Sequence, residues 1–112
     1  MLRRVTCAIL SLFAGHAATA EVIDNETQAR AYIDRTFALH ECRMTRAGFF
    51  ARMQTDGVAP TENDMAQPLI GTDKIIRQRR VLAVLLRLFL SGDVCEDAAD
   101  KTLAISKFGG CA

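Results

Sequence analysis

The residues with most chemistry to offer in this 112-residue chain are four cysteines, Cys7, Cys42, Cys95 and Cys111. A thiol can act as a nucleophile, a metal ligand or half of a disulfide, and its neighbours decide which. A nucleophile needs a base and an electropositive setting. Cys95 instead sits among Asp93, Glu96 and Asp97, whose charges disfavour a thiolate, so it reads as structural. Thiol redox chemistry through Cys95 would require rapid reaction of that residue in the folded protein. His40 and Glu41 directly precede Cys42, but adjacent helical residues point in different directions and cannot close on one metal. No Cys-x-x-Cys element and no second histidine-rich element accompanies them. The sequence therefore leads us to expect no catalytic residues, no metal, no cofactor and no enzyme.

Charge is the next candidate. Lys74, Arg77, Arg79, Arg80 and Arg87 form a stretch without acids, and Asp93, Glu96, Asp97 and Asp100 cluster just beyond it. Arg77, Arg79 and Arg80 are the candidate interaction surface. The plainer reading is a solvated helix face whose arginine stems cover apolar surface, partly paired with Asp93, Glu96 or Asp97. Phe49, Phe50 and Met53 pose a similar choice between an exposed partner groove and core, and their helical spacing favours core.

The N-terminus addresses compartment. Arg3 and Arg4 precede the short apolar run Val5 to Ala14, and Ala18-Thr19-Ala20 offers the small residues a signal peptidase reads. The pattern predicts a secretory signal over residues 1–20, cleaved after Ala20, and a periplasmic or secreted protein. The run is too short to span a bilayer, and Thr6 before Cys7 is not the small residue a lipoprotein signal needs. Cleavage leaves residues 21–112, enough for one small domain. It also lowers the basic residues from 14 to 12 against 13 acids, a net charge of −1 that gives no electrostatic case for nucleic acid or anionic lipid. An oxidising compartment permits disulfides. Of the three remaining cysteines one is left over in a monomer, which allows a disulfide dimer.

The elements that must position these residues follow from caps and periodicity. Asn25 with Gln28 opens a helix over about residues 26–40 with Ala29, Ile33 and Phe37 on one face. Thr45 opens a second, stopped at Asp56-Gly57. Cys42-Arg43-Met44 between them either continues the first helix or is extended. Residues 57–72 hold both prolines and read as a long connection, with Thr61 and Asp64 capping one helical turn. The longest helix is expected from Thr72 or Asp73 to Ser91-Gly92. Apolar residues cover most of its circumference, which predicts a central position. After Gly92 a weak helix and a hairpin compete. The hairpin has strands Val94 to Asp97 and Thr102 to Ser106, with Val94, Leu103 and Ile105 facing inward, and fits the alternation slightly better.

This order, with the motifs "LFLSGDV" and "KTLAIS" around the hairpin, resembles a winged helix-turn-helix domain over residues 26–107. The expected fold class is mainly α with a small C-terminal β-hairpin, winged-helix-like, against an all-α disulfide-stapled bundle. The long connection departs from the family's short turn. The resemblance implies DNA binding, with Arg77, Arg79 and Arg80 at the major groove, whereas export argues against it and a fold does not fix a function. In the winged arrangement the piece at Cys42 pairs antiparallel with the return strand, whose end lies where Gly109 and Gly110 let Cys111 swing in. That implies a Cys42–Cys111 disulfide, with Cys42–Cys95 as the alternative and Cys95 otherwise spare. In the chain-entropy model so long a loop is worth roughly 4 kcal/mol. The function expected is a non-enzymatic exported accessory, inhibitor or immunity-like factor that binds another exported protein. The competing expectation is a nucleic-acid-binding winged helix whose N-terminus is not a signal.

Overall fold

In a computed structural model the protein is described over residues 21–99 and 101–105. The signal segment with Cys7, and the tail with Gly109, Gly110 and Cys111, lie outside the described residues. The chain runs α1 (Glu26–Leu39), β1 (Arg43–Thr45), α2 (Arg46–Thr55), α3 (Glu62–Met65), α4 (Pro68–Ser91), β2 (Val94–Glu96) and β3 (Thr102–Ile105). It is mainly helical, with a small antiparallel sheet in the order β1-β3-β2. The tail after Gly92 is thus a hairpin, and the all-helical alternative gives way.

Three N-caps read from sequence, Asn25, Thr45 and Thr61, form. Asn25 accepts the Gln28 backbone N–H at 2.9 Å, and Thr45 accepts that of Gly48 at 2.9 Å. Thr61 and Asp64 exchange backbone bonds of 2.9 and 3.2 Å around α3, satisfying donors the first turn leaves open. Lys74 Nζ adds an ion pair to Asp64 Oδ2 at 2.9 Å. The Thr61 N–H and then Lys74 hold the Asp64 carboxyl down at a pKa of about 2, because both favour its charged form.

Two expectations for α4 are corrected. It begins at Pro68, not at Thr72 or Asp73: a proline at the first helical position needs no N–H partner and already has helical φ. Gly71 then lets this first turn press on α3, since a Cβ there would meet the Asp64 carbonyl oxygen at 3.0 Å. Nor is α4 central. It buries Val81, Val84, Leu85 and Leu88 along one face, whereas Leu82, Leu86 and Leu90 are exposed. A domain with so few elements covers only one side of its longest helix. Gly92 ends α4 at φ 85°, and Asp93 N–H reaches back to the Leu88 carbonyl at 2.9 Å, a left-handed closure that glycine permits without a Cβ clash.

The core lies between α1, α2, the inner face of α4 and the sheet. Tyr32, Ile33 and Phe37 meet Phe49 and Met53, with the Phe37 and Phe49 rings 5.7 Å apart and Tyr32 edge-on to Phe49 at 6.5 Å. Tyr32 Oη donates to Asp56 Oδ2 at 2.8 Å, and Arg52 Nε reaches the same oxygen at 3.1 Å. Burial, and then the Asp56 carboxylate, push the Tyr32 phenol well above its usual range, because a phenolate would be desolvated beside a like charge.

Candidate functional site

The sheet sets one wall of the candidate site. Arg43, Met44 and Thr45 pair with Ala104, Leu103 and Thr102, while Val94, Cys95 and Glu96 pair with Ile105, Ala104 and Leu103. Met44, Leu103 and Val94 face the core and are buried, as the alternation implied. Arg43 stands on the other face and joins β1 to the hairpin, through Asp97 Oδ2 at 3.0 Å and Thr102 Oγ1 at 2.7 Å. Asp97 also organises the turn, accepting the Ala99 N–H on its side chain at 2.8 Å.

Against that wall, α2 and α4 diverge to leave a groove of about 460 Å³. Phe49, Met53 and Leu103 are buried at its floor. Phe50 (42% exposed), Leu82 (41%) and Leu86 (59%) form open flanks, with Phe89 partly buried beside them. The expected choice for Phe49, Phe50 and Met53 is thus divided: the first and last are core, and Phe50 points to solvent. Helical spacing alone could not separate them, since Phe49 and Phe50 are adjacent and only the direction of the core decides which is covered. Arg46 also lines the groove and is paired with Glu96 at 2.8 Å.

The arginine cluster does not act as one surface. Arg77 donates to the Gly57 carbonyl at 2.9 Å, and Arg80 to the Ile23 carbonyl at 2.9 Å. They fasten the loop after α2 and the segment before α1 onto α4. Arg79 alone of the three makes no hydrogen bond or ion pair among the described residues. Among the described residues Asp93, Glu96 and Asp97 do not pair with this cluster either: Glu96 goes to Arg46 and Asp97 to Arg43, whereas Arg87 pairs with Glu26. Sequence proximity suggested the wrong partners because β2 turns its acids toward β1 and α2.

His40 caps the C-terminus of α1 and is exposed, Glu41 is exposed at φ 56°, and Cys42 is buried. These three side chains share no common environment. Among the described residues, no group of three or more histidine, cysteine or acidic side chains converges as a metal site would. No described helix is long and apolar enough to cross a membrane.

Cys42 and Cys95 are both disulfide-bonded, and no described cysteine is free. The reading of Cys95 as a spare or reactive thiol is therefore corrected. Cys42 adjoins β1 and Cys95 lies in β2, on opposite sides of β3. Two strand spacings amount to about 10 Å, beyond the roughly 7 Å between Cα atoms that a disulfide spans. This geometry disfavours the Cys42–Cys95 alternative. The other cysteines of the sequence, and with them the Cys42–Cys111 bridge, lie outside the described residues.

No protein-family model, curated protein or solved structure matches this chain.

Proposed function

We propose that the chain is a small exported, non-enzymatic domain of winged-helix-like architecture that binds another exported protein, as an accessory, inhibitor or immunity-like factor. The observation that carries the reading is the open apolar groove between α2 and α4, whose flanks Phe50, Leu82 and Leu86 are left in water. A domain this small has few large apolar side chains to stabilise it, and several on one side point to a partner that covers them. The succession of helix, strand, two main helices and hairpin, with sheet order β1-β3-β2, supports the winged reading; α3 fills the long connection. The start of the domain supports removal of residues 1–20. Glu21 is held by Arg35 at 2.6 Å and Ile23 is buried, so the fold begins just past the proposed cut, which takes Cys7 away and leaves Cys111 as the one remaining partner within the chain for the bonded Cys42 and Cys95.

The nucleic-acid reading is disfavoured by the use of its proposed contacts. Arg77 and Arg80 hold backbone carbonyls, and phosphate binding would have to release them. N-terminal sequencing of the native protein tests the proposal. It expects Glu21 as the first residue, in the exported fraction. An intact Met1 on protein recovered from the cytoplasm overturns it.

A further inference from the structure

The groove has a shape and a charge that together specify an occupant. Leu82, Leu86 and Leu90 recur every four residues along α4, and Leu90 is 79% exposed. At a rise of 1.5 Å per residue the stripe runs about 12 Å, more than two helical turns. It extends past the groove's own lining, so a small molecule seated in the groove would leave part of it wet. The flanks are also too open to enclose such a ligand, which an apolar pocket normally buries by 70–90%. A trench with a buried floor, about two turns long and bounded by helices, is the geometry that receives the apolar face of another helix.

Charge decides between a second copy of this chain and a different partner. The helix Arg46–Thr55 contains two arginines and no acid. The stretch Lys74–Gly92 contains one lysine, four arginines and no acid. Arg79 stands one turn before Leu82 on the same side of α4 and has no carboxylate partner among the described residues. Arg46, Arg52, Lys74 and Arg87 are paired within the chain with Glu96, Asp56, Asp64 and Glu26, so what two copies meeting face to face would bring together is chiefly the charge of Arg79. A helix with acidic flanks would instead find Arg79 at the edge of the trench.

We infer that the groove between α2 and α4 receives an amphipathic helix of a partner protein, apolar along one stripe and flanked by glutamate or aspartate. This rests on the protein-binding reading above and names the chemistry of its partner. The chain as its native host processes it is titrated with a synthetic helical peptide carrying leucines at i, i+4 and i+7 with glutamates on both flanks. A peptide with lysine at every glutamate position, anionic phospholipid vesicles and sedimentation of the protein alone complete the test. The glutamate peptide is expected to bind at least about tenfold more tightly than the lysine peptide, a difference of ~1.4 kcal/mol. Arg79→Glu should remove that preference, and Leu86→Glu should abolish binding while leaving urea unfolding nearly unchanged.

Equal binding of the two peptides, or no binding of either, overturns the inference. So does binding to vesicles in place of peptides, or a dimer that Leu86→Glu dissociates. If the peptides fail but a photocross-linker at position 86 still captures a protein in the host, the acidic-helix inference falls and the protein-binding reading stands. If both fail, both fall.

Discussion

Two leucines two residues apart on α4 should differ sharply in what they contribute. Leu88 is 6% exposed and packs in the core, whereas Leu86 is 59% exposed on the groove flank. Full burial of a leucine side chain is worth about 1.5–3 kcal/mol. Leu86 has about two fifths of its surface covered, so Leu86→Ala should cost less than about 1 kcal/mol. Leu88→Ala loses the whole transfer energy and leaves a cavity, for about 2–5 kcal/mol. A domain of this size unfolds in urea with an m-value of about 1 kcal/mol/M. Leu86→Ala should therefore shift the midpoint by less than about 1 M, and Leu88→Ala by about 2 M or more, with m unchanged. Equal shifts would refute the reasoning, since they would mean that Leu86 is covered in the isolated protein and the groove is closed.

Four further outcomes follow from named contacts. Thr45→Ala removes the acceptor for Gly48 N–H and should lower stability by about 1 kcal/mol in the same urea assay. The folded-state pKa of Asp64, about 2, lies below its ordinary 3.8. Its contribution is thus present above pH 4 and lost as pH falls toward 2, and Asp64→Asn should flatten that limb of the stability profile. Tyr32 is the only tyrosine and its pKa is raised, so its contribution is present below its ordinary pKa near 10 and declines above it. Phenolate absorbance should therefore appear together with loss of helical circular dichroism; phenolate forming in a still-helical protein would contradict the burial of Tyr32. A non-reducing peptide map should recover Cys42 joined to Cys111, whereas a Cys7–Cys95 bridge beside it would account for both bonded cysteines within one chain and show that residues 1–20 remain on the folded protein.

Much of the local structure was legible because it depends on local chemistry. Asn25, Thr45 and Thr61 each announce a cap that forms, and the alternation of Val94 and Leu103 locates the sheet's inner face. What was not legible depends on the position of other elements. Pro68 reads as a breaker, yet in the first turn it starts α4, and Gly71 matters only because α3 lies against it. The leucines of α4 look alike in sequence, and only the placement of α1 and the sheet leaves Leu82, Leu86 and Leu90 outside. The same holds for the arginines. Their charge is visible in the sequence, but the carbonyls of Gly57 and Ile23 that occupy Arg77 and Arg80 come from distant segments.

The most direct test of the protein-binding account is a photoreactive amino acid placed at position 86 in the native host, with Asp34 on the exposed side of α1 as control position. The account predicts one discrete protein adduct at 86, absent at 34, in which this chain begins at Glu21. Lipid adducts alone, a cross-linked copy of the chain itself, or no adduct at position 86 would contradict it.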